Sequence, residues 1–152
     1  MLGIIALDQV TKIWIVSKVP FNTYHDPAPI SVIDGFFYIV HIGNRGSAWG
    51  LLETYPTLLI FFAIIVLVII FIFRKELMFD NLIMQYAFGF LCGGIIGNLI
   101  DRLLRGHVVD FLDFHLLPDY RWPAFNIADM AICTGVFLYI GYNIFMGHRS
   151  SN

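Results

Sequence analysis

Residues 93–114, GGIIGNLIDRLLRGHVVDFLDF, decide how this chain is read. The stretch begins as the end of an apolar helix and finishes with an aspartate in a different setting. Asn98, Asp101, Arg102, Arg105 and Asp110 gather where a hydrophobic segment runs out. Ionisable groups at membrane depth are costly and mark function by default. The question the stretch poses is where Asp110 finds a partner.

Hydrophobic residues make up 59% of the 152-residue chain and charged residues 13%, and the mean hydropathy is +0.77. Soluble domains carry about a quarter charged residues, so this chain is too poor in charge to solvate its own surface. It is expected to be one integral membrane domain, rich in Phe, with 15 residues, as lipid-facing and interfacial surface requires. A net charge of −2 with no basic tail or patch argues against a nucleic-acid partner. Cys92 and Cys133 lie in apolar runs without CxxC spacing and are expected to be packing residues, not a disulfide or a metal site.

Outward from the opening stretch, apolar runs predict four transmembrane helices, at about residues 1–19, 57–73, 82–99 and 126–146. The second is free of charge and as a helix covers about 25 Å, close to the hydrocarbon thickness. In the third, Gly89, Gly93 and Gly97 recur every four residues, a small-residue stripe that lets another helix approach. Gly94, Asn98 and Arg102 share a neighbouring register, so the packing face runs into the polar cluster. In the first, Asp8 and Lys12 are four apart and predict a self-neutralised pair. Only seven residues precede Asp8. With no basic n-region and no small-residue cleavage site, the segment is not expected to be a cleaved signal peptide. A longer native N-terminus remains an alternative.

Residues 30–33 and 36–42 are β-branched and aromatic and flank Asp34-Gly35, which predicts a hairpin. Open strand edges do not sit in lipid, so this hairpin is expected outside the bilayer, within a small extracytoplasmic β-cradle at about 30–50. Asn44-Arg45-Gly46 follows as a turn. Residues 106–125 are read as a loop. Asn126 is a good N-cap for the fourth helix, with Asp129 a favourable acid in its first turn. The basic loop at Arg74-Lys75 is assigned to the cytoplasm, together with both chain ends.

Asp110 and Asp129 then flank two helices on one side of the membrane. Two carboxylates brought close cannot both ionise easily, so one keeps a proton while the other acts as a base. Such a pair can activate water and polarise a carbonyl. Asn44, Asn98, Asn126 and Arg102 are candidates to orient substrate or carboxylates. GSAWG is not the GxSxG nucleophile elbow, there is no HExxH, and no two histidines are four apart on a helix. The competing reading is a small ion- or proton-translocating protein with intramembrane carboxylates.

Five segments, in order, carry a resemblance: Asp8-Gln9-Val10-Thr11-Lys12; Asn44-Arg45-Gly46-Ser47-Ala48-Trp49; Gly93-Gly94 through Gly97-Asn98 and Asp101-Arg102; Gly106-His107-Val108-Val109-Asp110-Phe111; and Phe125-Asn126-Ile127-Ala128-Asp129. They resemble the motifs of bacterial lipoprotein signal peptidase (signal peptidase II). The resemblance implies an inner-membrane, multi-pass aspartic endopeptidase of four helices with its active site near the extracytoplasmic face. It implies cleavage of diacylglyceryl-modified prolipoproteins before the lipidated cysteine, without metal or organic cofactor, by a monomer in contact with membrane lipid and inhibited by globomycin-type peptides. Asp110 and Asp129 would be catalytic, with Asp8, Lys12, Asn44, Gly46, Asn98, Arg102 and Asn126 supporting or binding substrate. The family usually has Phe where Trp49 stands.

Overall fold

The computed structural model describes residues 1–23, 28–47, 51–77, 81–117 and 120–150, with side chains to Met146. The expectations at Trp49 and at the 48–50 end of the cradle fall outside that set. Four helices, α1 (Leu2–Lys18), α2 (Pro56–Ile72), α3 (Leu82–Arg105) and α4 (Ile127–Ser150), accompany four strands, β1 (Ile30–Ile33), β2 (Phe37–Asn44), β3 (Val108–Leu117) and β4 (Tyr120–Arg121). The strands form one antiparallel sheet in the order β1-β2-β3-β4.

The helices are turned inside out relative to a soluble bundle. On α1 the buried residues are Asp8, Lys12 and Ile15, while Leu2, Val10 and Ile13 are 75%, 64% and 57% exposed. Apolar side chains outward and charges inward is the arrangement a lipid solvent selects. Of the described helices, α3 and α4 are long and apolar enough to cross a bilayer; α2 is a shorter apolar helix.

Glycines set the spacing between the helices. A Cβ on Gly93 would press on Ile4 of α1, and one on Gly94 would run into the Ala128 carbonyl of α4. The α3 stripe therefore receives helices on two sides. The third helix also runs six residues beyond the expected end at Leu99, because Asp101, its one acidic residue, is buried and finds partners inside the protein. Gly106, in the left-handed region at φ 75°, ends it.

The predicted hairpin is present as β1 and β2. The loop reading of 106–125 is corrected, since β3 and β4 occupy much of it. The long pairing of β3 is with β2, far away in sequence, and no local turn signal announces it. Phe37 and Phe125 both stack on Phe114, with ring centroids 4.6 and 5.7 Å apart. Ile15 and Val19 pack with Val109 and Phe111, seating the end of α1 against β3. Cys92 is half-buried, while Cys133 is exposed and so is not a buried packing residue; both are free thiols.

Candidate active site

Asp110 is delivered by β-sheet register. Ile42 lies opposite Asp110, and Asn44 opposite Val108. Ile42 and Asn44 are two residues apart and share a face, so Asn44 reaches diagonally across the ladder. Its Nδ2 donates to Asp110 Oδ2 at 2.9 Å. The Asn44 side-chain oxygen, Oδ1, in turn accepts the Gly46 N–H at 2.9 Å, an Asx turn. Arg102 closes the turn from α3 by donating to the Gly46 carbonyl at 2.8 Å.

Asp129 is delivered by a helix start stitched to the same strand. The Phe125 carbonyl accepts from the N–H groups of Phe111 and Leu112 at 3.0 and 2.9 Å, and its own N–H donates to the Leu112 carbonyl at 3.0 Å. The next residue, Asn126, caps α4. Its Oδ1 accepts from the Asp129 N–H at 3.0 Å, while Asp129 Oδ2 accepts from the Asn126 N–H at 3.2 Å. This is a reciprocal capping box.

Asn126 also joins the two carboxylates. Both N–H bonds of its amide are spent, one on Asp110 Oδ1 at 2.7 Å and one on Asn98 Oδ1 at 3.2 Å. Asn98 Nδ2 then donates to Asp129 Oδ1 at 2.8 Å. Each aspartate thus accepts two N–H bonds: Asp110 from the Asn44 and Asn126 amides, Asp129 from the Asn98 amide and the Asn126 backbone.

Asp110 is 2% exposed, and its carboxyl is pushed up to about 7. Burial is the main cause and the Asp129 carboxylate the next, opposed by the amides of Asn44 and Asn126 and the charge of Lys12. A carboxyl that gives up its proton near neutrality, beside a second carboxylate, has the properties a general acid–base pair needs.

Asp8 and Lys12 sit behind this pair. They bond each other at 2.9 Å, as their spacing predicts, but the pair is not self-contained. Lys12 Nζ also contacts Asp101 Oδ2 at 3.0 Å and donates to Asn98 Oδ1 at 2.9 Å. Asp101, Gln9 and Arg105 also belong to the site's support, although the motif resemblance gives them no role there. Arg105 bonds Asp101, and Gln9 donates to Asp8, to the Gly97 carbonyl and to Asp101 at 3.1, 3.1 and 3.3 Å. The i,i+4 spacing of Asp101 and Arg105 was the available signal. Arg102 lies alongside with its Nε buried and without a hydrogen-bond partner among the described residues. Among those residues no group of three or more His, Cys, Asp or Glu is placed to hold a metal ion.

Comparison with known proteins gives this geometry its relatives. A lipoprotein signal peptidase of Oleidesulfovibrio alaskensis is 42% identical, over 88% of this chain and 85% of its own. A bacterial membrane enzyme solved at 2.3 Å superimposes with a TM-score of 0.82 at 35% identity, over 99% of this chain and 87% of its own. A second bacterial membrane enzyme, solved at 1.9 Å, gives 0.76 at 36% identity, over 91% and 86%. The profile of signal peptidase (SPase) II matches residues 1–145, and on that match and the 42% identity the chain belongs to the signal peptidase II family.

Proposed function

We propose that the chain is an aspartic endopeptidase that removes the signal peptide of diacylglyceryl-modified prolipoproteins, cutting before the lipidated cysteine. The observation that carries the reading is the bridge through Asn126, whose one side chain touches Asp110 and Asn98, while Asn98 holds Asp129. The dyad holds one proton. Its ionised member takes a proton from water, and the oxygen attacks the scissile carbonyl carbon. The protonated member hydrogen-bonds the carbonyl oxygen as charge builds there. Collapse of the tetrahedral intermediate passes a proton to the leaving nitrogen. This frees the amino group of the lipidated cysteine, leaves the signal peptide with a new carboxyl end, and restores one proton to the dyad.

The enzyme works as a monomer with four spans in the cytoplasmic membrane, its dyad near the extracytoplasmic face beneath the sheet. The apolar outer surfaces of α1, α2 and α4 support that placement, with Phe61, Phe62 and Phe137 59%, 66% and 75% exposed. Acyl chains of the substrate stay in lipid while the peptide reaches the dyad sideways. Globomycin-type cyclic peptides would compete for the same site.

The test is purified enzyme with one precursor in two forms, diacylglyceryl-modified and unmodified. Cleavage of the lipidated form alone, blocked by globomycin, is expected. Equal cleavage of both, or none of either, would contradict the substrate assignment. An ion carrier would show aspartate-dependent flux in sealed vesicles and no proteolysis.

A further inference from the structure

The residues immediately before the two dyad aspartates are held in the same way. The N–H of Ala128, which precedes Asp129, donates to Asp8 Oδ1 at 3.0 Å. The N–H of Val109, which precedes Asp110, donates to Asp101 Oδ2 at 3.0 Å. Neither contact follows from secondary structure. Ala128 is in the first turn of α4, where backbone donors lack intrahelical acceptors, and the carboxylate of Asp8 reaches it from α1. Val109 faces Gly43 across the sheet, and the carboxylate of Asp101 reaches it from α3.

One ammonium group ties these two clamps together. An ammonium has three N–H donors and no acceptor. Lys12 Nζ has three oxygen partners, Asp8 Oδ2 at 2.9 Å, Asp101 Oδ2 at 3.0 Å and Asn98 Oδ1 at 2.9 Å. Asp8, Lys12 and Asp101 are each 0% exposed, so the three groups are closed off from bulk solvent. The third contact also fixes which way the Asn98 amide points. Turned over, its NH2 would face the Lys12 ammonium and the Asn126 amide donor, and its oxygen would face Asp129. Lys12 therefore holds Asn98 in the orientation that donates to Asp129.

We propose that the buried Asp8–Lys12–Asp101 triad is a positioning device that sets the separation of the Asp110 and Asp129 carboxylates, with Lys12 fixing both backbone clamps and the Asn98 amide. The triad touches no substrate atom. It acts through Ala128, Val109 and Asn98. Asp101 belongs to it as fully as Asp8, and Arg105 supplies the second positive charge that balances the two acids. The proposal rests on the dyad reading given above.

The experiment compares wild-type enzyme with Lys12→Met, Asp101→Asn and the double variant Asp8→Asn/Lys12→Met, which removes an ion pair together. Asp101→Asn retains an oxygen acceptor for Val109 and leaves Asp8 paired with Lys12. Each is purified in detergent, checked for folding by thermal unfolding, and assayed on lipidated precursor across pH. Displacements near 1 Å can cost about a hundredfold in rate, so folded variants are expected to lose at least about tenfold in kcat with KM little changed. In Lys12→Met the high-pH limb is expected to move to higher pH, because the ammonium charge that holds Asp110 down is lost. Lys12→Arg, which keeps the charge, should recover part of the rate.

Folded variants with wild-type kcat and an unmoved limb would overturn the proposal. So would loss of folding in all of them, because the triad would then be holding the bundle and not the dyad. The dyad reading is tested separately, by Asp110→Asn and Asp129→Asn in the same assay. If those two still cleave, that reading fails; if they are inactive while the triad variants behave as wild type, only the triad proposal fails.

Discussion

Asn126 and Asp129 cap each other, the Asp129 N–H donating to Asn126 Oδ1 at 3.0 Å and the Asn126 N–H donating to Asp129 Oδ2 at 3.2 Å. The cap of α4 thus shares Asp129 with the dyad, and its other member, Asn126, also donates to Asp110. The two roles separate by substitution. Serine caps nearly as well as asparagine, whereas alanine loses the cap at about 1 kcal/mol. Asn126→Ser should keep most of the stability, yet lose both amide donations to Asp110 and Asn98 and with them at least about a hundredfold in kcat. Asn126→Ala should lose both. Thermal unfolding and cleavage rates on the two variants decide the matter.

Cleavage is expected to fall as pH rises through about 7, where Asp110 gives up the proton of the dyad. The sign follows from the direction of the shift. The folded protein holds this proton more tightly than the ordinary carboxyl value of 3.8, so Asp110's contribution to stability is full below 3.8 and is lost as pH rises through about 7. Asn44 donates to the charged form and pulls the value down. Asn44→Leu should therefore move the limb of the pH–rate profile to higher pH.

The contact between α3 and α4 has no room for a methyl group. A Cβ at Gly135 would lie 2.6 Å from the Ala87 carbonyl oxygen, and one at Gly94 would meet the Ala128 carbonyl and come within 2.8 Å of Ile132. Both neighbours include backbone, so the helices must part, at about 1–3 kcal/mol for overpacking. Gly94→Ala should also lower the cleavage rate, since Ala128 precedes Asp129; Gly135→Ala should mainly lower the thermal midpoint. At Gly141 a Cβ meets nothing within 4 Å, and Gly141→Ala should leave both measurements unchanged or raise the midpoint slightly.

Much of this was legible before the fold because polar residues in an apolar chain have few places to go. Asp8 and Lys12, four apart, announce their pairing; Asn98, Arg102 and Asn126 announce a polar interior by standing at helix ends. What was hidden depends on partners distant in sequence. β3 was hidden because Asp110 and Asp113 break the apolar alternation of a strand, and its pairing partner is β2. The extra turns of α3 were hidden because Asp101 reads as the exit from the membrane. It is in fact fully buried, held by Lys12, Arg105 and the Val109 N–H. The Lys12 pairing was foreseen with one acid and formed with two.

The central claim is that Asp110 and Asp129 act as one proteolytic pair. It is tested most directly by Asp110→Asn and Asp129→Asn, each assayed on diacylglyceryl-modified precursor, with wild-type-like thermal unfolding as the check on folding. Asparagine keeps the shape of either side chain and removes its acid–base function. Each variant is expected to remain folded and to lose at least about a thousandfold in cleavage, the upper part of the range for positioned acid–base groups. Cleavage at near wild-type rates by either folded variant would contradict the account.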